Sequence, residues 1–299
     1  MGRDRNLLVV GVERIAHEAI APLREQFPGA LFHSVGFTYK DSAQPDISLG
    51  CYEQHFLSPE LCLRQVRSND PLLTDAIRNT DFLIVVASLD EIASCVTTSH
   101  LSELAEHEGC PAIFIVALPF DFLGPQPRRF AQEVRHRLAR QRCTFLPISC
   151  EKLCDAPLPD PNRDWKAEFE LRIPRAYEQL TLALQYAFVS AMELHHSLNS
   201  AKEKSGWANK HIDLGFGIAD SVEQASGALS QFRRCPLLLP DFSYSRIHLV
   251  AASGTEPPAH ILDEIKRELE DHEKASVSLS ARIVPSLDQR LLLVGLAVE

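Results

Sequence analysis

Unbroken apolar runs punctuate the first half of the chain. Leu7 to Val12 (LLVVGV), Asp81 to Ala87 (DFLIVVA) and Pro111 to Leu118 (PAIFIVAL) show no polar alternation. Such runs suit strands covered on both faces, as in parallel sheets. Ala30 to Phe37 and Thr144 to Ile148 read as two further strands. Helical spacing fills the intervals. It runs from Glu13 to Phe27, ending near Pro28-Gly29, then over Pro59–Val66, Leu72–Asn79, a stretch reaching about His107, and Phe130–Arg142. Residues 38–58 are polar and read as a long loop. Alternation of apolar strands with helices predicts a doubly wound, Rossmann-like parallel sheet.

The pattern changes in the second half. Asp155 to Pro161 is Pro/Asp-rich and reads as a loop. Ile173 to Leu198 is helical and apolar nearly all round, which predicts a long buried helix. Residues 199–214 are polar. Beyond them come a helix (Ser221–Phe232), a strand (Arg246–Ala252), an amphipathic helix (Ala259–Lys274), an alternating strand (Ser276–Val284) and a last apolar strand (Arg290–Val298). The expected organisation is therefore an α/β domain over residues 1–172, a central helix over 173–198 and a smaller α+β domain over 199–299.

Composition narrows the classes. Thirty Lys and Arg against forty Asp and Glu give a formal charge of −10, which disfavours a broad grip on nucleic acid or anionic lipid. Arg128, Arg129, Arg135, Arg137, Arg140 and Arg142 gather on one helix, read as a solvated face or a dock for an acidic partner. No apolar stretch is long enough for a signal h-region or a membrane span, so a soluble cytoplasmic protein is expected. Eight cysteines, at 51, 62, 95, 110, 143, 150, 154 and 235, lack the paired spacing of a zinc site and read as reduced structural thiols. His195-His196 are adjacent, about 100° apart on a helix, and read as a helix end rather than a metal pair. The 13 glycines fall below the 21 or so that ordinary usage of about 7% gives, which bears on any phosphate-binding loop.

Several segments resemble the bacterial FtsZ/tubulin-like superfamily, in the same order along nearly the whole chain. Leu8-Val-Val-Gly-Val12 resembles its first strand, and Asn79 to Ala87 the strand leading to its signature loop. Val116-Ala-Leu-Pro-Phe-Asp-Phe-Leu-Gly124, followed by Arg128-Arg129, resembles its V-x-x-P-F-x-F-E-G-R-R segment. Gly215-Phe-Gly-Ile-Ala219, Cys235-Pro-Leu-Leu238, Ile247 to Ala252 and Leu291 to Val298 resemble pieces of its second domain. The resemblance implies two α/β units joined by a long helix, with GTP bound at glycine-rich loops.

Those loops are altered. Where the family has its first glycine loop stands Glu13-Arg14-Ile15-Ala16-His17. Where it has G-G-G-T-G-T-G stands Leu89-Asp90-Glu91-Ile92-Ala93-Ser94-Cys95. A backbone cradle needs glycine so that N–H groups can approach phosphate, and carboxylates there oppose an anion. Like charges at about 4 Å repel by roughly 1–4 kcal/mol. The third loop corresponds to residues 52–58, with only Gly50 upstream. The family's ribose-contacting Glu is Leu123 here, and its base-reading Asn-Asp pair is Thr181-Leu182. Its N-x-D-x-x-D catalytic loop has no counterpart; Asn199 to Lys204 is the nearest analogue, and Glu203 and Asp213 stand ten positions apart. The family's C-terminal adaptor-binding peptide is not expected here.

The expectation is a non-catalytic pseudo-GTPase of this fold, with no cofactor and no metal. Its expected partner is itself or another FtsZ-like subunit, in a filament or division assembly, with no nucleic acid and no membrane insertion. Vestigial pocket positions are Glu13, Arg14, Asp90, Glu91, Leu123, Arg129 and Thr181. Two alternatives stand. One is a divergent GTPase or nucleotide binder with the cradle rebuilt from Arg14, Arg129, Ser94, Thr97 and Thr98. The other is a binding module using the vacated pocket for a non-phosphate ligand or a partner peptide. Asp90-Glu91 read as solvated acids at a helix start rather than as a Mg²⁺ site.

Overall fold

The computed structural model describes residues 6–38, 44–51, 58–141, 143–154, 165–197, 212–235, 237–238, 244–284 and 287–298. They form two compact units, the first reaching Gln185 and the second taking up Tyr186 onward.

The first unit is a six-stranded parallel sheet between helices. Its strands are β1 (Leu7–Val12), β2 (Ala30–Thr38), β3 (Ile47–Cys51), β4 (Phe82–Ser88), β5 (Ala112–Leu118) and β6 (Thr144–Ser149), in the order β3-β2-β1-β4-β5-β6. Every residue of β1 and β4 is buried, as their uninterrupted apolar runs require. The helices are α1 (Glu13–Ile20), α2 (Pro59–Ser68), α3 (Asp70–Arg78), α4 (Ile92–His107), α5 (Pro125–Arg140) and the short α6 (Cys150–Cys154). Val10, Val85, Phe114 and Val116 of the sheet share one core with Val66, Ile77, Leu101 and Val134 of the helices.

Three boundaries differ from the sequence reading. The helix expected over 13–27 stops at Ile20 and continues as a 3-10 turn, Ala21–Gln26. Pro22 has no N–H to offer the α-helical ladder, so the chain tightens there. The loop expected over 38–58 contains β3, which pairs with β2 through Val35–Ile47 and Gly36–Ser48. The basic helix starts at Pro125 rather than Phe130, directly after Gly124 at φ 91°. Proline is well placed in a first turn, where its missing N–H breaks no bond.

The long helix α7 runs from Trp165 to Ser197, eight residues longer at its start than expected. In the first unit its Gln185 donates from Nε2 to the Ala19 carbonyl at 3.1 Å. Glu178, Gln179 and Leu182 are exposed, so this stretch is not apolar all round.

The second unit has a four-stranded mixed sheet of β7 (Ile212–Ala219), β8 (Arg246–Ser253), β9 (Ser276–Ile283) and β10 (Leu291–Val298), ordered β7-β10-β8-β9. β10 is antiparallel to both neighbours, and β8 with β9 is parallel. Helices α8 (Ala225–Arg233) and α9 (Ala259–Glu273) cover it, and Leu229, Phe232, Leu249, Ile265, Leu269 and Leu293 form its core. α8 begins four residues after the expected Ser221, behind a 3-10 turn.

Candidate functional site

The strand order of the first sheet reverses direction between β1 and β4. In open α/β sheets such a switch point leaves a crevice at the carboxyl ends of the strands, where ligands bind. Here Glu13 follows β1 directly, and Leu89-Asp90-Glu91 follows β4. Topology therefore brings three acids, 77 and 78 positions apart in sequence, to one crevice.

Glu13 is held in an unusual way. Its φ is 61°, in the left-handed region that favours glycine. Its Oε1 accepts the Phe37 backbone N–H at 3.3 Å. The carboxyl lies over Gly36 of β2; a Cβ there would sit 2.8 Å from Oε2. Burial, with further repulsion from Glu91 and Asp90, pushes the Glu13 pKa up to about 8, and the Phe37 N–H offsets only part of this. The Glu13 carboxyl is thus protonated at neutral pH.

Asp90 is raised by burial first and by Glu91 second. The Ser88 side chain, its own backbone N–H and Arg14 act in the opposite direction. Glu91 is exposed and precedes α4 without capping it. Arg14 is exposed and ion-paired with Glu18 on its own helix at 3.6 Å.

The other positions gather around an aromatic pair. Phe120 packs edge-on to Tyr177 of α7 with ring centroids 5.2 Å apart, and stacks on the exposed Phe122 at 4.9 Å. Leu123 donates its N–H to the Phe120 carbonyl at 3.1 Å. Thr181 spends its hydroxyl on the Tyr177 carbonyl at 3.0 Å. Burial, then Asp90, Cys150 and Glu91, raise the Tyr177 pKa, which ties the aromatic pair to the acids. Tyr177, Phe120, Gly36 and Phe37 were absent from the sequence-based site. Phe120 lay in the segment that carried the resemblance; Tyr177 carried no local signal.

Other candidates do not join the crevice. Arg129 pairs with Glu133 one turn along α5, at 3.3 Å. Ser94, Thr97 and Thr98 are fully buried in α4, and their hydroxyls find no hydrogen-bond partner among the described residues. Asp213 lies inside β7 and accepts the Tyr244 hydroxyl at 2.8 Å, both residues being buried. His195 is buried, and the side chain of His196 lies outside the described residues. So do the third loop over 52–57 and the region of the catalytic loop over 199–211. Cys62, Cys95, Cys110, Cys143, Cys150 and Cys235 are all buried. Among the described residues no three His, Cys, Asp or Glu side chains converge on a metal-sized site. Nor is any helix among them long and apolar enough to cross a membrane.

No family model matches the chain. An empty FtsZ dimer from M. jannaschii superposes with a TM-score of 0.79, covering 99% of this chain and 88% of that one at 18% identity. This is the FtsZ/tubulin fold. CetZ from Methanosaeta thermophila (TM-score 0.68, 14% identity, 99% and 87% covered) and the GTPγS-bound protofilament of CetZ2 from Haloferax volcanii (0.64, 17%, 98% and 93%) are built alike. By sequence, cell division protein FtsZ 1 of Pyrococcus abyssi is 22% identical over 238 residues, 78% of this chain. The Pyrococcus horikoshii protein matches to the same extent. The chain spans 62% of the length of these relatives. They are archaeal, so the comparison gives no support to a bacterial assignment.

Proposed function

We propose that this FtsZ-like chain is a non-catalytic pseudo-GTPase that serves as a scaffold or modulator of a filament or division assembly. The observation that carries the reading is the switch point itself, which holds Asp90 and Glu91 and, where the resemblance expects glycine, the neutral but bulky side chain of Glu13. A nucleotide polyphosphate brings several negative charges to such a crevice, and FtsZ-like nucleotide sites meet them with glycine-rich backbone. Here the first helix starts on a glutamate, and the second loop starts α4 behind two acids. Thr181 and Leu123, at the base- and ribose-reading positions, offer one hydroxyl already engaged and one apolar side chain.

The divergent-GTPase alternative needs a rebuilt cradle. Its proposed donors are two arginines, Arg14 and Arg129, each paired along its own helix, and three fully buried hydroxyls, which favours the non-catalytic reading. The partner in this reading is a second copy or another FtsZ-like subunit, in the cytoplasm, and no cofactor is required. Sedimentation of the protein, alone and mixed with an active FtsZ, with and without GTP, tests it. The expected result is GTP-independent self-assembly or a changed FtsZ pellet, with no turnover. Mg²⁺-dependent hydrolysis rising steeply with protein concentration would overturn it.

A further inference from the structure

Two helices carry opposite charge at nearly equal length. α5 is 16 residues long and holds five arginines against one glutamate. α9 is 15 residues long and holds six acids against Lys266 and Arg267. Their formal charges are +4 and −4, so α5 runs against the sign of a chain whose total is −10.

Each helix seats one face on its own unit and leaves the other to solvent. Ala131, Val134 and Leu138 of α5 are buried, as are Ile265 and Leu269 of α9. Part of the outer charge is engaged within the chain. Arg128 pairs with Asp121 at 2.9 Å, Arg129 with Glu133 at 3.3 Å and Arg137 with Glu103 at 3.6 Å. Arg233 holds Glu268 and Glu273 at 2.9 and 3.5 Å, and Lys266 lies 3.9 Å from Glu270. The rest is exposed and has no ion pair among the described residues. On α5 it is Arg135 and Arg140; on α9 it is Asp263, Glu264 and Asp271, with Arg267 among them. Among the described residues neither helix exposes a large apolar side chain, so a contact through these faces is made by charge.

We propose that the outer face of α5 in one copy of the chain docks on the outer face of α9 in a second copy. The partner is the one named in the scaffold reading above, and the contact rests on that reading. Like faces cannot meet, because α5 against α5, or α9 against α9, brings free charges of one sign together. The contact is therefore heterologous: each copy turns α5 to one neighbour and α9 to another. Such a contact closes into a ring or propagates as a filament. Exposed ion pairs are individually weak and are screened by salt. The docking thus needs several pairs at once, and it is salt-sensitive rather than tight.

Sedimentation velocity of the full chain without nucleotide, over a range of protein and salt concentrations, tests the contact through a charge swap. The wild type should associate as its concentration rises and disperse as salt is added. Arg135→Glu with Arg140→Glu reverses the free charge of α5; Asp263→Lys with Glu264→Lys reverses that of α9. Each variant alone should need about tenfold more protein to associate, or beyond, because its two faces now carry free charge of one sign. An equimolar mixture of the two should regain association, because each chain supplies the face the other lacks. Two misfolded chains could not rescue each other, so recovery on mixing separates docking from structural damage. If a reversed chain does not fold, Arg135→Gln with Arg140→Gln takes its place and should weaken association by a smaller factor. Variants that associate like the wild type, or a mixture as dispersed as its components, would overturn the contact. So would a wild type that stays monomeric at every concentration and salt; if that monomer still changes an FtsZ pellet, the scaffold reading survives and the contact does not. Recovery on mixing supports the contact whether or not the chain hydrolyses GTP.

Discussion

Glu13 is a carboxyl that the fold keeps protonated, and protons held only by the native state make stability depend on pH. Its native pKa, about 8, lies above the ordinary 4.5. Its contribution is therefore complete below the ordinary value and lost as pH rises through about 8. The slope is at most about 1.4 kcal/mol per pH unit, and less because the side chain is only half-buried. Urea midpoints of the first unit should fall between about pH 5 and 8.5, and Glu13→Gln should flatten that fall. His248 works at the other end of the scale. Burial on β8 lowers its pKa to about 4, with Nδ1 2.8 Å from the Ser278 hydroxyl. The native state then holds fewer protons than the unfolded chain between about 4 and 6.5, so stability is lost as pH falls through that window. In His248→Gln the acid-side loss measured by circular dichroism should shrink. At this scale the acids at strand ends were visible in sequence, because Glu13 and Asp90-Glu91 stand where apolar runs stop. The raised pKa of Glu13 was not, since it comes from burial in the folded crevice and from Glu91 and Asp90, more than seventy positions away in sequence.

Among the elements, those buried on both faces were the easiest to read. β1, β4 and β5 contain no polar residue up to Val12, Ala87 and Leu118, and the sequence placed each to within one residue. β3 was missed because it is an edge strand, paired on one side, and Ile47-Ser-Leu-Gly-Cys51 has three apolar residues in five, against five in six in β1 and six in seven in β4. The start of α5 was missed because Pro125-Gln-Pro127 looks like a loop until its position at a helix N-terminus is seen. β7 and α8 show how a single glycine sets an interhelical distance to a sheet. A Cβ on Gly217 would lie 2.0 Å from the Ala228 carbonyl oxygen and 2.7 Å from the Phe232 nitrogen, both backbone atoms. Nothing flexible can yield there, so Gly217→Ala must push α8 off β7. The expected cost is about 1–3 kcal/mol, seen as a lower thermal midpoint for the second unit. Gly227, whose added Cβ would meet nothing within 4 Å, is the control: Gly227→Ala in α8 should be neutral or stabilising by up to about 1 kcal/mol.

For the whole molecule the fold is that of FtsZ, while the loss of nucleotide chemistry is what we propose above. The strand order, the long helix and the mixed second sheet keep an FtsZ-like framework at 18% identity to a solved FtsZ. Core positions tolerate exchange among apolar residues, so a framework persists while its sequence drifts. Loops that bind phosphate have no such latitude, because a carboxylate for a glycine changes both charge and backbone. Arg135 and Arg140 of α5 are exposed on a chain of net charge −10. If that face carries assembly, Arg135→Glu with Arg140→Glu should reduce the sedimenting fraction, and added salt should do the same to the wild type. The most direct measurement of the central claim is calorimetric titration of the folded protein with GTP and Mg²⁺ near neutral pH, where Glu13 is protonated and Asp90 and Glu91 remain at the crevice. The expected result is no saturable heat, corresponding to a Kd weaker than about 1 mM; stoichiometric binding at micromolar affinity would contradict it.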